Sequence, residues 1–130
     1  MAKQVFKIEE LELQDGKSVT IRPLPIARLT RFFDEWAKFG EIENDGDAFT
    51  IYVNCCGISL EENFKGQFDS LRANKEEQAE GKVLSEEYEE YLRGVLDLPT
   101  IYEILDVCGD IKLNDPNLME KVQETLETQA

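Results

Sequence analysis

The sequence predicts a mainly α fold of the α+β kind: an N-terminal β-hairpin packed on a bundle of about five helices. Three observations predict it. Residues 5–22 alternate apolar and polar side chains on either side of Asp15-Gly16. From Ile26 onward the apolar residues recur at helical intervals instead. A hydrophobic content of 42% over 130 residues is enough for one domain with its own core. No internal repeat or Gly/Ser linker divides the chain, so residues 1–130 read as a single domain.

The hairpin spans residues 5–13 and 17–22. Leu11 and Leu13 alternate with Glu10, Glu12 and Gln14, and Val19 and Ile21 with Ser18, Thr20 and Arg22. Asp15 and Gly16 tolerate the positive φ of a tight turn. An isolated hairpin is marginal, so its apolar face must lie on a helix, and the helix after it in the chain is the nearest candidate. Pro23 and Pro25 end the second strand, Pro25 suiting a first helical turn, where its missing N–H is not needed.

The helical body runs over residues 25–114. Ile26, Leu29, Phe32, Phe33, Trp36 and Phe39 form one apolar side of the first helix, with Arg28, Arg31, Glu35 and Lys38 on the rest and Gly40 as the stop. Asp47 can cap a segment over 48–56 that is apolar all round and reads as either a helix or a buried strand. Ser59 and Glu62 form a capping-box pattern ahead of a helix over 60–73 carrying Phe64, Phe68 and Leu71. The polar stretch 74–83 reads as a mobile connection. Tyr88, Tyr91, Leu92, Val95 and Leu96 give a clean helical stripe, and Pro99 starts a further helix with Ile101, Ile104, Leu105 and Cys108, closed by Gly109. Asp115-Pro116 signals a last amphipathic helix over 115–130, bearing Leu118, Met119, Val122 and Leu126, which either docks on the domain or detaches to bind a partner.

The charge balance excludes several function classes. Fourteen basic against 28 acidic residues give a net charge of −14, which repels phosphate backbones and anionic membranes. No apolar run is long enough to span a bilayer, and the first residues lack the apolar core of a signal peptide. Cys55, Cys56 and Cys108 sit among apolar neighbours, as thiols in a reducing cytoplasm would.

Little in the chain points to catalysis. It has no histidine, so no Ser-His or Cys-His pair can form. Asn44-Asp45-Gly46-Asp47 has a calcium-loop flavour but lacks the later ligands at that spacing. Glu86, Glu87, Glu89 and Glu90 read as a solvated helix face, with the first two favouring the helix dipole. No catalytic residue, cofactor or metal site is assigned. The candidate functional residues are apolar: Phe32, Phe33, Trp36 and Phe39 on the first helix, and Leu118, Met119, Val122 and Leu126 near the C-terminus, as contact surfaces for a protein partner.

The run Leu11-Glu12-Leu13-Gln14-Asp15-Gly16-Lys17-Ser18-Val19-Thr20-Ile21-Arg22-Pro23-Leu24 resembles the N-terminus of tail assembly chaperones of long-tailed bacteriophages. The likeness extends to Leu98-Pro99-Thr100-Ile101-Tyr102-Glu103-Ile104-Leu105 and Asp115-Pro116-Asn117-Leu118, about half the chain in all. The resemblance implies a non-enzymatic protein of the infected host's cytoplasm that binds and solubilises the tape measure protein, helps recruit tail tube protein, and leaves before the virion is finished. It implies the tape measure and tail tube proteins as partners, leaves self-association open, and implies neither nucleic acid nor membrane. Two alternatives remain: a structural component or adaptor of the phage tail, and an acidic DNA mimic that inhibits a host nuclease.

Overall fold

The computed structural model of the chain describes residues 7–113. The predicted C-terminal helix over 115–130, with Leu118, Met119, Val122 and Leu126, lies outside the described residues. The elements in order are strands β1 (Glu9–Glu12) and β2 (Ser18–Ile21), then helices α1 (Ile26–Trp36), α2 (Asp45–Ser59), α3 (Glu61–Phe64), α4 (Lys75–Ala79), α5 (Glu86–Val95) and α6 (Leu98–Gly109), with a 3₁₀ turn over Ala37–Glu41 after α1. The fold is mainly α with a two-stranded antiparallel hairpin, as the sequence predicts.

The hairpin pairs Glu9 with Ile21 and Glu12 with Ser18. Its turn closes through Leu13 N–H to Lys17 O (2.8 Å) and Gly16 N–H to Leu13 O (2.9 Å), with Gly16 at φ +87°. Leu13, Val19 and Ile21 are buried. The hairpin is tied chiefly to later helices rather than to α1. Gln14 N–H donates to Val95 O (3.1 Å). The Asn63 side chain of α3 accepts from Thr20 N–H (2.8 Å) and donates to Thr20 O (2.9 Å), taking the place of a third strand on the edge of β2.

Helix α2 is the central post, and the segment over 48–56 is helix, not strand. Asn44, rather than Asp47, is its N-cap, accepting from Asp47 N–H at 2.9 Å. Ile51, Val53, Cys55, Cys56 and Ile58 are buried on several sides because α1, α5 and α6 all pack on it. Its β-branched residues lower helix propensity slightly, and tertiary burial overrides that. Tyr88 O–H donates to Gly57 O (2.8 Å), locking α5 onto α2.

The expected helix over 60–73 is reduced to the single turn α3. The Ser59 hydroxyl donates to Cys55 O within α2, so it does not cap α3. Lys65 turns extended and Gly66 takes φ +79°, ending the helix. Beyond them the backbone pairs with residues 83–85: Ala73 N–H reaches Val83 O (3.1 Å) and Ser85 N–H reaches Leu71 O (3.0 Å). The stretch 74–83, expected as a mobile connection, holds α4. Asn74 and Glu77 form a reciprocal capping box, a local signal that stabilises a polar turn without an apolar stripe.

Helices α5 and α6 follow their stripes. Tyr88, Leu92 and Val95 are buried on α5, and Ile101, Ile104, Leu105 and Cys108 on α6. Asp97 caps α6, accepting from Thr100 N–H at 2.9 Å. Gly109 is the last residue of α6 rather than its left-handed stop, which is Asp110 at φ 56°. Gly109 is required for another reason: a Cβ there would lie 2.5 Å from the Phe32 ring.

Candidate partner-binding surface

The aromatic face of α1 divides between core and surface. Phe32 is 0% exposed, its ring against Gly109, and the Cys55 thiol donates to its backbone carbonyl. It therefore cannot serve as a partner contact and belongs to the core. Phe33, the next residue, is 43% exposed, with its ring 5.3 Å from that of Phe32 in an edge-to-face arrangement. Ile26 is 77% exposed.

Glu35, expected on the polar side, is buried. Its carboxylate accepts from Asn54 Nδ2 (2.8 Å) and pairs with Lys38 Nζ (2.6 Å), so its burial is matched by a hydrogen bond and an ion pair. Arg28 and Arg31 are likewise half-buried, drawn inward by α3. Arg31 Nη2 lies 2.9 Å from Glu61 Oε1, close but outside hydrogen-bond alignment, and Arg28 Nη2 lies 2.6 Å from Glu62 Oε1. The Arg28 hydrogen bond first, and that of Lys65 second, hold the Glu62 carboxyl down to about 2.

Among the described residues, two apolar regions beside α1 reach the surface. In the first, Trp36 and Phe39 are half-buried and clustered with Tyr52 of α2: ring centroids are 4.6 Å apart for Trp36–Phe39 and 5.4 Å for Phe39–Tyr52. Tyr102 closes the cluster from α6, and Phe49, 44% exposed, stands at its rim. Burial pushes the Tyr52 hydroxyl upward, with Tyr102 adding to the shift.

The second region is a groove of about 480 Å³ between α1 and the end of α6. Leu29 and Phe33 form one wall, Val107 and Ile111 the other, with Leu24, Cys108 and Gly109 beneath. The floor is fixed by Leu24 N–H to Cys108 O (3.1 Å) and by the Phe32–Gly109 contact. Of the predicted contact residues that are described, Phe33 alone lines this groove. Sequence reasoning missed Val107 and Ile111, although Ile104, Val107 and Ile111 recur at intervals of three and four.

The other candidates carry no chemistry. Cys55, Cys56 and Cys108 are free and buried, and burial pushes all three thiols up, Cys108 to about 11. Glu86, Glu87 and Glu90 are exposed on α5, and Glu89 pairs with Arg93. No cluster of three or more metal-ligating side chains occurs among the described residues, and no helix among them is long and apolar enough to cross a membrane.

No protein-family model, curated protein or solved structure matches the chain.

Proposed function

We propose that the chain is a tail assembly chaperone of a long-tailed bacteriophage. It acts in the host cytoplasm, binds and solubilises the tape measure protein, helps recruit tail tube subunits, and carries out no covalent chemistry. The observation that carries this reading is the pairing of exposed apolar surface with a net charge of −14. Phe33, Ile26 and Phe49 stand in solvent on helices whose other faces are well packed. Such surfaces mark protein contacts, and the charge keeps both the free chain and its complexes soluble.

The mechanism is coverage. Apolar side chains of the chaperone shield apolar stripes of the client, and several copies on one long client hold it by avidity although each contact is weak. The sequence likeness lies in residues 11–24, the hairpin and its proline exit, in the first turns of α6, and in Asp115-Pro116-Asn117-Leu118, which lies outside the described residues. Mass spectrometry of infected-cell assembly intermediates and of purified particles tests the role. The chain is expected with the tape measure protein in intermediates and absent from finished particles. Stoichiometric recovery from finished particles would make it a structural tail component instead.

A further inference from the structure

We propose that the groove between α1 and α6 is a seat for a cationic amphipathic helix of the client. This deepens the chaperone reading and rests on it for the client's identity. One groove wall is a helix face, with Leu29 and Phe33 one turn apart on α1; the other is Val107 on α6 together with Ile111, just past the left-handed stop at Asp110. A helical ridge such as Leu29–Phe33 accepts the ridge of an incoming helix, with Val107 and Ile111 closing its far side. The floor is already locked, through Leu24 N–H to Cys108 O and the Phe32–Gly109 contact, so the seat is preformed.

Charge selects the occupant. Among the described residues, the charged side chains lining the groove are both acidic, Asp106 and Asp110. Lys112 bridges them from outside the lining, 3.2 Å from Asp110 Oδ1 and also paired to Asp106. An incoming lysine or arginine can replace it, and the field of a −14 chain favours a cationic partner at longer range. A second copy carries the same −14. The chain's own residues 115–130 bring Asp115, Glu120, Glu124 and Glu127 against Lys121 alone. Like charge disfavours both.

The probe is a synthetic helical peptide of about 18 residues, long enough to hold a helix, with leucines on one face and lysines elsewhere, beside a twin with glutamate for every lysine. Binding to the full chain is followed by fluorescence anisotropy and by amide chemical-shift mapping. The lysine peptide is expected to saturate, with shifts on α1 and residues 105–112. Phe33→Ala should weaken it at least about tenfold, the loss typical of a buried aromatic anchor. Asp106→Asn with Asp110→Asn should flatten its salt dependence, asparagine keeping the left-handed backbone at position 110 available.

Equal binding of the glutamate twin, shifts centred on the acidic face of α5, or no effect of Phe33→Ala would each overturn the proposal. A dimer of the free chain dissolved by Phe33→Ala would overturn it too, by giving the groove to a second copy. The full tape measure protein separates the two claims. If wild type fails to hold it while the peptide binds, the chaperone reading falls and the groove stands. If the Phe33→Ala chain holds it as wild type does, the groove falls and the chaperone reading stands.

Discussion

Phe32 and Phe33 are adjacent in sequence and opposite in structure, and replacing each with alanine should separate stability from binding. The Phe32 ring is fully buried against Gly109, and truncating such a phenylalanine costs about 3–5 kcal/mol through lost burial plus the cavity left behind. Phe33 is 43% exposed. About half the usual 2–3 kcal/mol for burying a phenylalanine is at stake there, and alanine returns about 0.5 kcal/mol of helix propensity, leaving about 1 kcal/mol. At about 4 °C per kcal/mol for a domain of this size, Phe32→Ala should lower Tm by about 12–20 °C and Phe33→Ala by about 4 °C. Thermal melts by circular dichroism and urea titrations read by Trp36, the sole tryptophan, measure both. Equal losses, or a Phe32→Ala chain within about 1 kcal/mol of wild type, would refute the division of α1 into a core side and a free side.

Gly109→Ala should cost about 1–3 kcal/mol by overpacking, because the new methyl meets Phe32 ring atoms at 2.5 and 2.6 Å. Combining it with Phe32→Leu should cost less than the two separate losses added together, which a double-mutant cycle of urea midpoints would show. Asn63→Ala removes two hydrogen bonds to Thr20 and should cost about 1–3 kcal/mol, with faster amide exchange at Thr20; unchanged exchange would mean that the hairpin edge is held elsewhere. Tyr91 O–H donates to Asp15 Oδ2 at 2.7 Å. Burial first, and this bond second, push Tyr91 up to about 12, while the same bond leads in lowering Asp15. The raised tyrosine contributes stability that is complete below about pH 10 and lost as pH rises through about 12. The lowered aspartate contributes stability present above its usual pKa near 4 and lost as pH falls through its folded value. Tyr91→Phe should therefore flatten both edges of a stability-against-pH curve, and a curve parallel to wild type would count against the pairing.

The elements with a single dominant stripe were legible in the sequence, and those governed by partners distant in sequence were not. Tyr88, Leu92 and Val95 point one way on α5, so their spacing alone places them in the core. Along α1 and the 3₁₀ turn after it, the apolar residues from Ile26 to Phe39 spread too far round the axis. At about 100° per residue, Phe33 and Ile26 fall roughly 100–120° from Phe32, and the buried arc on its other side is filled by Glu35 and, half-buried, Arg28. Lys38 is a local partner three residues from Glu35, but Asn54, Glu61 and Glu62, which also make those charges compatible with burial, are distant in sequence and no local pattern announces them. The segment over 48–56 was ambiguous because a fully enclosed helix and a buried strand are both apolar on every side. The region 60–73 misled because Ser59 is still inside α2, where its hydroxyl bonds back to Cys55 O. The capping box at Asn74 and Glu77 was readable but lay in a stretch without apolar periodicity. Of the surface, Phe33 could be named from sequence; Val107 and Ile111 could not be ranked above core residues until α6 was placed beside α1.

Co-expression with the tape measure protein, followed by affinity capture and size-exclusion chromatography with light scattering, is the decisive test of the chaperone reading. A soluble complex with several copies of this chain on each client is expected, and precipitation of the client when the chain is omitted. A client equally soluble without the chain, or a chain that elutes alone beside it, would contradict that reading.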